Sequence, residues 1–554
     1  MTNLATRLRQ RRGSVAAVLL VVILIGAALL RLVGIAWGLP YSLINIDETV
    51  VVPMGFRAAQ GHVNPQFFLY PSFFFYLLAA VDLLATPVVW LARGANPLTE
   101  AAFLVDPGPF YLLGRLVSAA FGTASVYLVY RLGRDTYGRA AGLLGALILA
   151  VLPLHVSYSH MAVTDVTATA IALLALVLLA GAAQGRGRRW LVAGAAAAGL
   201  ATSTKYNLGM LLLPATVAAV VASRADVAAR VAAGGGRAAA WLRLLVLRLY
   251  LPMFVAFLVG SPFVLLDAPH FVSDFIRQNR IQDRGWLGYE NVGNGFWYNL
   301  ATNLEGTLGV LLLVLCLAAV VWALWRRTTL DLMLAPYVVV YFLYVSTWNA
   351  LADRYLLPIL PLVALLAGRF CVEAVRRVGA RRPRLAPAAA LLAAVVVAAA
   401  LYAPLSAALA FDRGLSGVDT RLVAKEWVEA NISAGSVIAS ENYGPPLVSL
   451  AAVAAYPPAD VPPAYELLEL KLPGPGVPEP THSLAWLHEN RVEYVIVTST
   501  VYDRVLRAPS VYPEIVAFYR QLDAEAELVR EFAPAAGEHG PVIRIYSLKK
   551  SSSS

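Results

Sequence analysis

Cysteine is nearly missing from this chain: among 554 residues only Cys316 and Cys371 occur, both inside long apolar stretches. Two such thiols supply neither a disulfide framework nor a cysteine-bound metal. Charge is scarce too, at 14% of residues, and the seven histidines are scattered. His155 and His160 stand five apart and His270 stands alone, which is no metal-ligand set. No GxGxxG, GxxxxGK(S/T) or HExxH pattern falls at a usable position, so nucleotide-driven transport and zinc proteolysis lack support.

What the chain has in excess is apolar sequence. A hydrophobic share of 59% and a mean hydropathy of +0.66 exceed what a soluble domain needs for its core, so the chain reads as a polytopic membrane protein. Apolar runs occupy residues 14–36, 110–130, 140–157, 166–183, 190–204, 206–222, 244–266, 306–325, 332–348, 355–375 and 386–410. A crossing helix needs ~20 residues, so the shorter runs predict tilted or protein-buried helices.

Orientation follows the arginines. Arg7, Arg9, Arg11 and Arg12 precede a first run that reads as an uncleaved anchor, which predicts a cytoplasmic N-terminus. Later clusters lie at 131–139, 186–189, 224–243, 326–327 and 376–384, and all are expected on that inner side. A twelfth apolar run, Pro71 to Trp90, would invert every later cluster if it crossed. It is therefore read as a helix lying along the outer leaflet, within one long outer loop of residues 41–109. About eleven spans and an extracytoplasmic C-terminus result, in a plasma membrane.

That arrangement gathers the chemically active residues on one side. Asp47, Glu48, Asp165, Lys205, Asp267, His270, Asp353 and Arg354 all fall at outer span ends or in outer loops. The adjacent acids Asp47 and Glu48, fixed at a bilayer surface, suggest chemistry on a lipid-borne substrate. The net charge of +10 does not signal nucleic acid: from Phe411 onward 18 acids face 12 Lys/Arg, so the positive excess sits at the inner membrane surface.

From about residue 411 to 548 the polarity becomes ordinary and prolines multiply. Helices are predicted at Ala424 to Ala430 and Ser483 to Asn490, and strands at Ser436 to Ala439, Tyr494 to Thr498 and Val542 to Tyr546. These make a small α/β domain, with Tyr456 to Pro480 as a long proline-rich loop and residues 549–554 as a disordered tail. Domains of 1–410 and 411–548 are expected.

Several segments, in order, resemble a known class: NIDE, NPQFFLYPSFFFYLLA, GRLVSAAFG, YRLGRDTYGRAAGLLGALILAVLPLHVSYSHMAVTD, GLATSTKYN, SPFVLLDAPHF and DRYLLPILPLVALLAG. From about residue 30 to 370 they are similar to the GT-C membrane glycosyltransferases, in the branch of protein O-mannosyltransferases and lipid A aminoarabinose transferases. The resemblance implies a polyprenyl-monophosphate sugar donor, transfer on the outer face and a first-loop acid as base. It also implies one departure: where aminoarabinose transferases carry a lysine before the loop-helix proline, this chain has Leu69-Tyr70-Pro71. The donor phosphate must then be held by other groups.

The chemistry of such a transfer assigns expected roles. A carboxylate must take the proton of the attacking hydroxyl, and Asp47 is the expected base, with Glu48 orienting it or binding the acceptor. The leaving phosphate gains charge, so nearby cations stabilise the transition state over the ground state. Lys205, Arg354 and Arg115 are the candidates, with Arg277, Arg280 and Arg284 as a further set. A single displacement would invert the sugar, which is hexosyl or pentosyl. Asp165 is expected to organise the pocket or bind the sugar, its alternative being a helix N-cap or first-turn acid; for Lys205 the alternative is a snorkelling side chain. The outer stretch 267–303, rich in aromatics, amides and glycines, is expected to be a mobile substrate loop including Asp267, His270, Arg284 and Tyr289.

No metal cofactor is expected; the alternative is Mg²⁺ or Mn²⁺ on Asp47, Glu48 and Asp165. The expected partners are the lipid-linked donor, a lipid, glycan or protein acceptor, and the bilayer. Two other classes compete, a lipid or polysaccharide flippase and a non-catalytic assembly protein. The first predicts midplane charges and inverted repeats, of which the sequence has neither.

Overall fold

The computed structural model describes residues 2–43, 45–415, 417–458, 461–535 and 537–549. Helix α1 (Thr2–Leu32) enters a segment that holds α2 (Glu48–Ala59), α3 (Phe73–Arg93) and α4 (Glu100–Val105). Then come α5 (Gly108–Thr136), α6 (Arg139–Ala150), α7 (Pro153–Ser159), α8 (Thr164–Ala183), α9 (Arg188–Thr202), α10 (Leu212–Ala232), α11 (Arg237–Leu245) and α12 (Leu251–Gly260). After α13 (Phe263–Leu266), α14 (Ala268–Arg284) and α15 (Gly295–Tyr298), the bundle closes with α16 (Glu305–Arg326), α17 (Thr329–Val345), α18 (Leu360–Arg381) and α19 (Ala386–Gly414).

Among the described residues, eight helical segments suffice by length and composition to cross a membrane, α3 among them, and the α6–α7 pair, bent by 65°, makes nine. The apolar runs at α9, α17 and α18 are shorter or more charged, and these helices are packed into the bundle by their neighbours. For α3, both ends are tied to the same end of the bundle. Its first amide, Phe73 N–H, donates to Ser203 O at the end of α9. Beyond its last residue, Leu98 O already accepts from Gln60 at the end of α2, and Phe103 stacks on Phe56 at 4.4 Å. Five residues reach at most ~18 Å, short of a ~30 Å hydrocarbon core, so α3 lies beside the bundle end instead of traversing it.

Small residues let the central helices touch. A Cβ on Gly142 of α6 would stand 2.6 Å from Tyr130 O of α5, and one on Gly368 of α18 would stand 2.7 Å from Gly145 N of α6. With no aqueous driving force between helices in lipid, such close backbone contact is what holds them.

The tail carries β1 (Val418–Asp419), α20 (Thr420–Asn431), β2 (Val437–Glu441), β3 (Val448–Ser449), α21 (Leu450–Ala455), β4 (Ala464–Leu470), α22 (Leu484–Glu489), β5 (Tyr494–Thr498), α23 (Ser499–Arg507), α24 (Pro513–Glu525), β6 (Glu527–Phe532), β7 (Glu538–His539) and β8 (Ile543–Ser547). A six-stranded sheet runs β3-β4-β2-β5-β8-β6, parallel from β3 to β5 and antiparallel at β8. Strand β4 corrects the expected proline-rich loop: AYELLEL is a proline-free seven-residue run, flanked by Pro462-Pro463 and Pro473 that bound the strand without entering it. Of the expected disordered tail, Lys549 is placed and pairs with Glu493, while residues 550–554 lie outside the described residues.

The tail packs onto the first loop and the segment after α14. Trp37 Nε1 donates to Gly417 O at 2.9 Å, Leu104 joins Val448, Val453 and Ala464, and Leu287 is buried in the core of the sheet domain. The second part of the expected mobile loop thus becomes a dock. Its first part is a 17-residue helix, α14, because Pro269 opens it and no glycine interrupts it before Gly285.

Replacing Gly142 by Val forces α5 and α6 apart, and overpacking of this kind costs about 1–3 kcal/mol. A lowered melting temperature in detergent is expected for Gly142→Val. Gly26→Ala should leave it unchanged, since a Cβ there meets nothing within 4 Å.

Candidate functional site

The first loop is anchored by a buried ion pair. Glu48 Oε1 accepts from Arg115 Nε at 3.0 Å and from the Ala162 backbone N–H at 2.7 Å. Its Oε2 accepts from Arg115 Nη2 at 2.9 Å and from the Ser42 hydroxyl at 2.8 Å. Arg115 spends Nη1 on Ile35 O at 3.0 Å and Trp37 O at 2.7 Å. Both side chains are fully buried, so their desolvation is offset only by this complete set of partners. Arg115, expected at the donor phosphate, is instead sealed inside the protein, and Glu48 faces it and not the open site. The two hold the start of α2 against α5 and the α7–α8 turn.

Asp47, the neighbour of that anchored acid, is turned the other way. Its backbone N–H is held by the Asn45 side chain at 2.8 Å, and its carboxylate is ion-paired with Arg354, from the turn between α17 and α18. Asp165 and Lys205 form a second ion pair. Asp165 sits in the first turn of α8, as the first-turn alternative has it, while Lys205 is 8% exposed, which the snorkelling alternative does not describe. Tyr355 links the two pairs: Lys205 Nζ lies 5.2 Å from its ring centroid and the Arg354 guanidinium 5.7 Å.

Asp165, Lys205 and Arg354 line a cavity of about 350 Å³, and Asp47 stands at its edge on Arg354. Aromatic and amide groups complete the wall, among them Tyr70, Tyr206, Gln282, Trp286 and Trp348. Leu69, Tyr70 and Pro71 are part of it, and Lys205 supplies an ammonium group to the same wall. Burial, then the charge of Asp47, push the Tyr70 phenol well up, so it stays a neutral hydrogen-bond donor near neutral pH.

The remaining expected residues fall elsewhere. Asp267 accepts from Asn64 at 2.9 Å and from His270 at 2.6 Å, bracing the start of α14, and neither lines the cavity. Arg284 is exposed at the end of α14, and Arg277 and Arg280 are exposed too. Tyr289 packs edge-on to Tyr298 at 6.1 Å, outside the lining. From this stretch Phe271, Phe275, Gln278, Asn279, Ile281 and Gln282 of α14, together with Trp286, reach the cavity. Asp353 points away from it, toward Tyr158 OH at 3.3 Å, and borders a separate cavity of about 320 Å³ with Ser157, Asn303 and Thr307.

Sequence reasoning missed Tyr443, on the loop after β2. It has φ +67°, rare for a bulky residue, and lies in electrostatic range of Asp47, Arg354 and Arg504. Arg504 is itself placed against Gly288, 3.3 Å from where a Cβ would stand. The sheet domain therefore reaches the acid at the edge of the cavity. No signal within one sequence pairs residue 443 with residue 47. Among the described residues no group of three His, Cys, Asp or Glu side chains converges to hold a metal ion.

The Glu48–Arg115 geometry sets an expectation. Arg115→Ala or Glu48→Ala leaves one buried charge unpaired and should cost about 3–5 kcal/mol, read as a lowered unfolding temperature, while Glu48→Leu with Arg115→Met should recover much of it. An Arg115→Ala protein of unchanged stability but weakened donor binding would return Arg115 to the phosphate site.

Comparison with known proteins comes to the same architecture. Residues 112–262 match the family model of dolichyl-phosphate-mannose-protein mannosyltransferases. Among solved structures, the oligosaccharyltransferase AglB from Archaeoglobus fulgidus, in complex with an inhibitory peptide and a dolichol-phosphate, aligns over 96% of this chain and 74% of its own. The TM-score is 0.56 at 12% identity. ArnT from Cupriavidus metallidurans bound to undecaprenyl phosphate aligns over 96% of this chain and 97% of its own, with a TM-score of 0.52 at 15% identity. No curated protein matches the chain by sequence. The chain is a multi-pass membrane protein with the GT-C glycosyltransferase architecture shared by AglB and ArnT, and it matches the mannosyltransferase family over residues 112–262.

Proposed function

We propose that the protein is an inverting glycosyltransferase that moves one sugar from a polyprenyl-monophosphate carrier to an acceptor hydroxyl on the extracytoplasmic face. One observation carries the reading: two cations, Lys205 and Arg354, flank one tyrosine ring in a single cavity, each neutralised by an acid that a phosphate could replace. The similar structures of AglB and ArnT hold dolichol-phosphate and undecaprenyl phosphate, ligands of the same chemical kind. The arginine-rich ends of α16 and α18 lie opposite the site, which supports an outer-facing reaction.

In this reading the donor phosphate docks on Lys205 and Arg354, and the apolar carrier leaves along Phe257, Phe271 and Phe275 toward the exposed face of α12. A phosphate on Arg354 loosens its hold on Asp47, which becomes free to act as base. The acceptor oxygen forms its bond to the anomeric carbon as its proton passes to Asp47. The bond from that carbon to phosphate oxygen breaks, and the leaving monoester gains negative charge against the two cations. Asp165 positions Lys205, Glu48 positions Asp47, and Tyr443 faces the acceptor side. The reaction needs no metal, since the cations that would neutralise the leaving group are side chains.

Purified protein in nanodiscs, offered a panel of radiolabelled polyprenyl-phosphate sugars, should release polyprenyl phosphate from one of them. Asp47→Asn should slow release at least ~100-fold without loss of folding; wild-type turnover by that variant removes the role. Lys205→Ala and Arg354→Ala should each raise the donor KM, and unchanged donor affinity in both would move the phosphate site. Activity should persist in EDTA; loss in EDTA restored by Mn²⁺ or Mg²⁺ would overturn the metal-free mechanism.

A further inference from the structure

At the end of the bundle opposite the transfer site, two cavities meet at one arginine. The first, about 380 Å³, opens between α5, α18 and the α16–α17 turn, and its charged lining is Arg326, Arg369, Arg376 and the single acid Glu373. The second, about 610 Å³, lies between α6, α18 and α19 and is walled by apolar side chains such as Leu144, Leu147, Val375, Val397 and Leu401. Val372 and Arg376 belong to both walls.

Charge around the first cavity does not balance. Arg369 is paired with Asp331, and Arg377 reaches Glu373 at 3.5 Å. Arg326 and Arg376 have no carboxylate partner among the described residues. The indole of Trp322 is already shared by three guanidinium groups, Arg326 at 5.9 Å, Arg369 at 4.8 Å and Arg377 at 5.1 Å. Like charges crowded on one ring repel, and an anion in the adjoining cavity relieves that repulsion. The second cavity asks for the opposite chemistry, an apolar chain, and it lies beside the exposed Leu391, Leu392 and Val395 of α19, where such a chain can enter from the bilayer.

We propose that the two cavities together are a binding site for one anionic glycerophospholipid. Its phosphate sits on Arg326 and Arg376, whose planar forks suit bidentate contact with phosphate oxygens. Its acyl chain fills the groove between α6, α18 and α19. A free phosphate would leave the groove empty and a zwitterionic lipid would leave the charge uncompensated, so the joined pair of cavities selects a lipid with net negative charge. The site is independent of the transfer reaction.

Native mass spectrometry of the full chain, titrated with phosphatidylglycerol or with phosphatidylcholine of the same acyl chains, tests this. The wild type should retain one phosphatidylglycerol at least fivefold better than phosphatidylcholine. Arg326→Glu with Arg376→Glu, both exposed and so not needed for folding, should erase that preference, and Ala394→Trp in the groove should lower retention of both lipids. Equal retention of the two lipids by the wild type, or an undiminished preference in the double arginine variant, overturns the proposal. Displacement of the lipid by millimolar inorganic phosphate alone would likewise overturn it, since the acyl groove would then add nothing.

Discussion

A carboxylate withdrawn from water must be met by donors on both oxygens, and Glu48 is met by four. Two come from Arg115, one from the Ala162 amide and one from Ser42. Those donors belong to α5, to the turn before α8 and to the first loop itself, elements far apart in the chain. Removing any of them exposes an uncompensated charge, so the arrangement is all or nothing. Because Asp47 precedes Glu48 directly, fixing one fixes the other. The acid that faces the cavity owes its place to an acid that faces away from it.

The open site repeats the same physics with a different balance. Asp47 with Arg354, partly withdrawn from solvent, and Asp165 with Lys205, buried, are ion pairs joined through the ring of Tyr355. Where the Glu48 pair is saturated, these pairs border the open space of the cavity. The sheet domain adds a third body to the same place. Leu287 and Glu290, on the segment after α14, bind it, the latter to Tyr512 at 2.5 Å, and its Tyr443 lies within electrostatic range of Asp47 and Arg354.

Much of this was legible beforehand, for identifiable reasons. Helix positions followed from apolar runs, because lipid permits few alternatives to a hydrogen-bonded helix. Strand β5 was read to the residue as a short buried run, since Tyr494 to Thr498 is flanked by the polar residues Glu493 and Ser499. Strand β4 was lost because prolines on both sides masked a clean seven-residue segment. Helix α14 was lost because its arginines, amides and aromatics look like a loop until a partner surface gives them two faces: Phe271, Phe275 and Gln282 toward the cavity, Arg277, Arg280 and Arg284 toward solvent.

The sequence by itself determined the membrane class and named several of the polar residues that the cavity brings together, because hydrophobic length and charge asymmetry act locally along the chain. Only the tertiary structure decided who meets whom. Arg115 and Arg354 are alike as residues, yet one is buried on Glu48 and the other borders the cavity with Asp47. Asp165 and Asp353 are alike too, yet one turns toward Lys205 and the other toward Tyr158. Pairing of charges depends on helix rotation and on loops that close over distances of up to 307 residues, as between Asp47 and Arg354, and no local pattern encodes it.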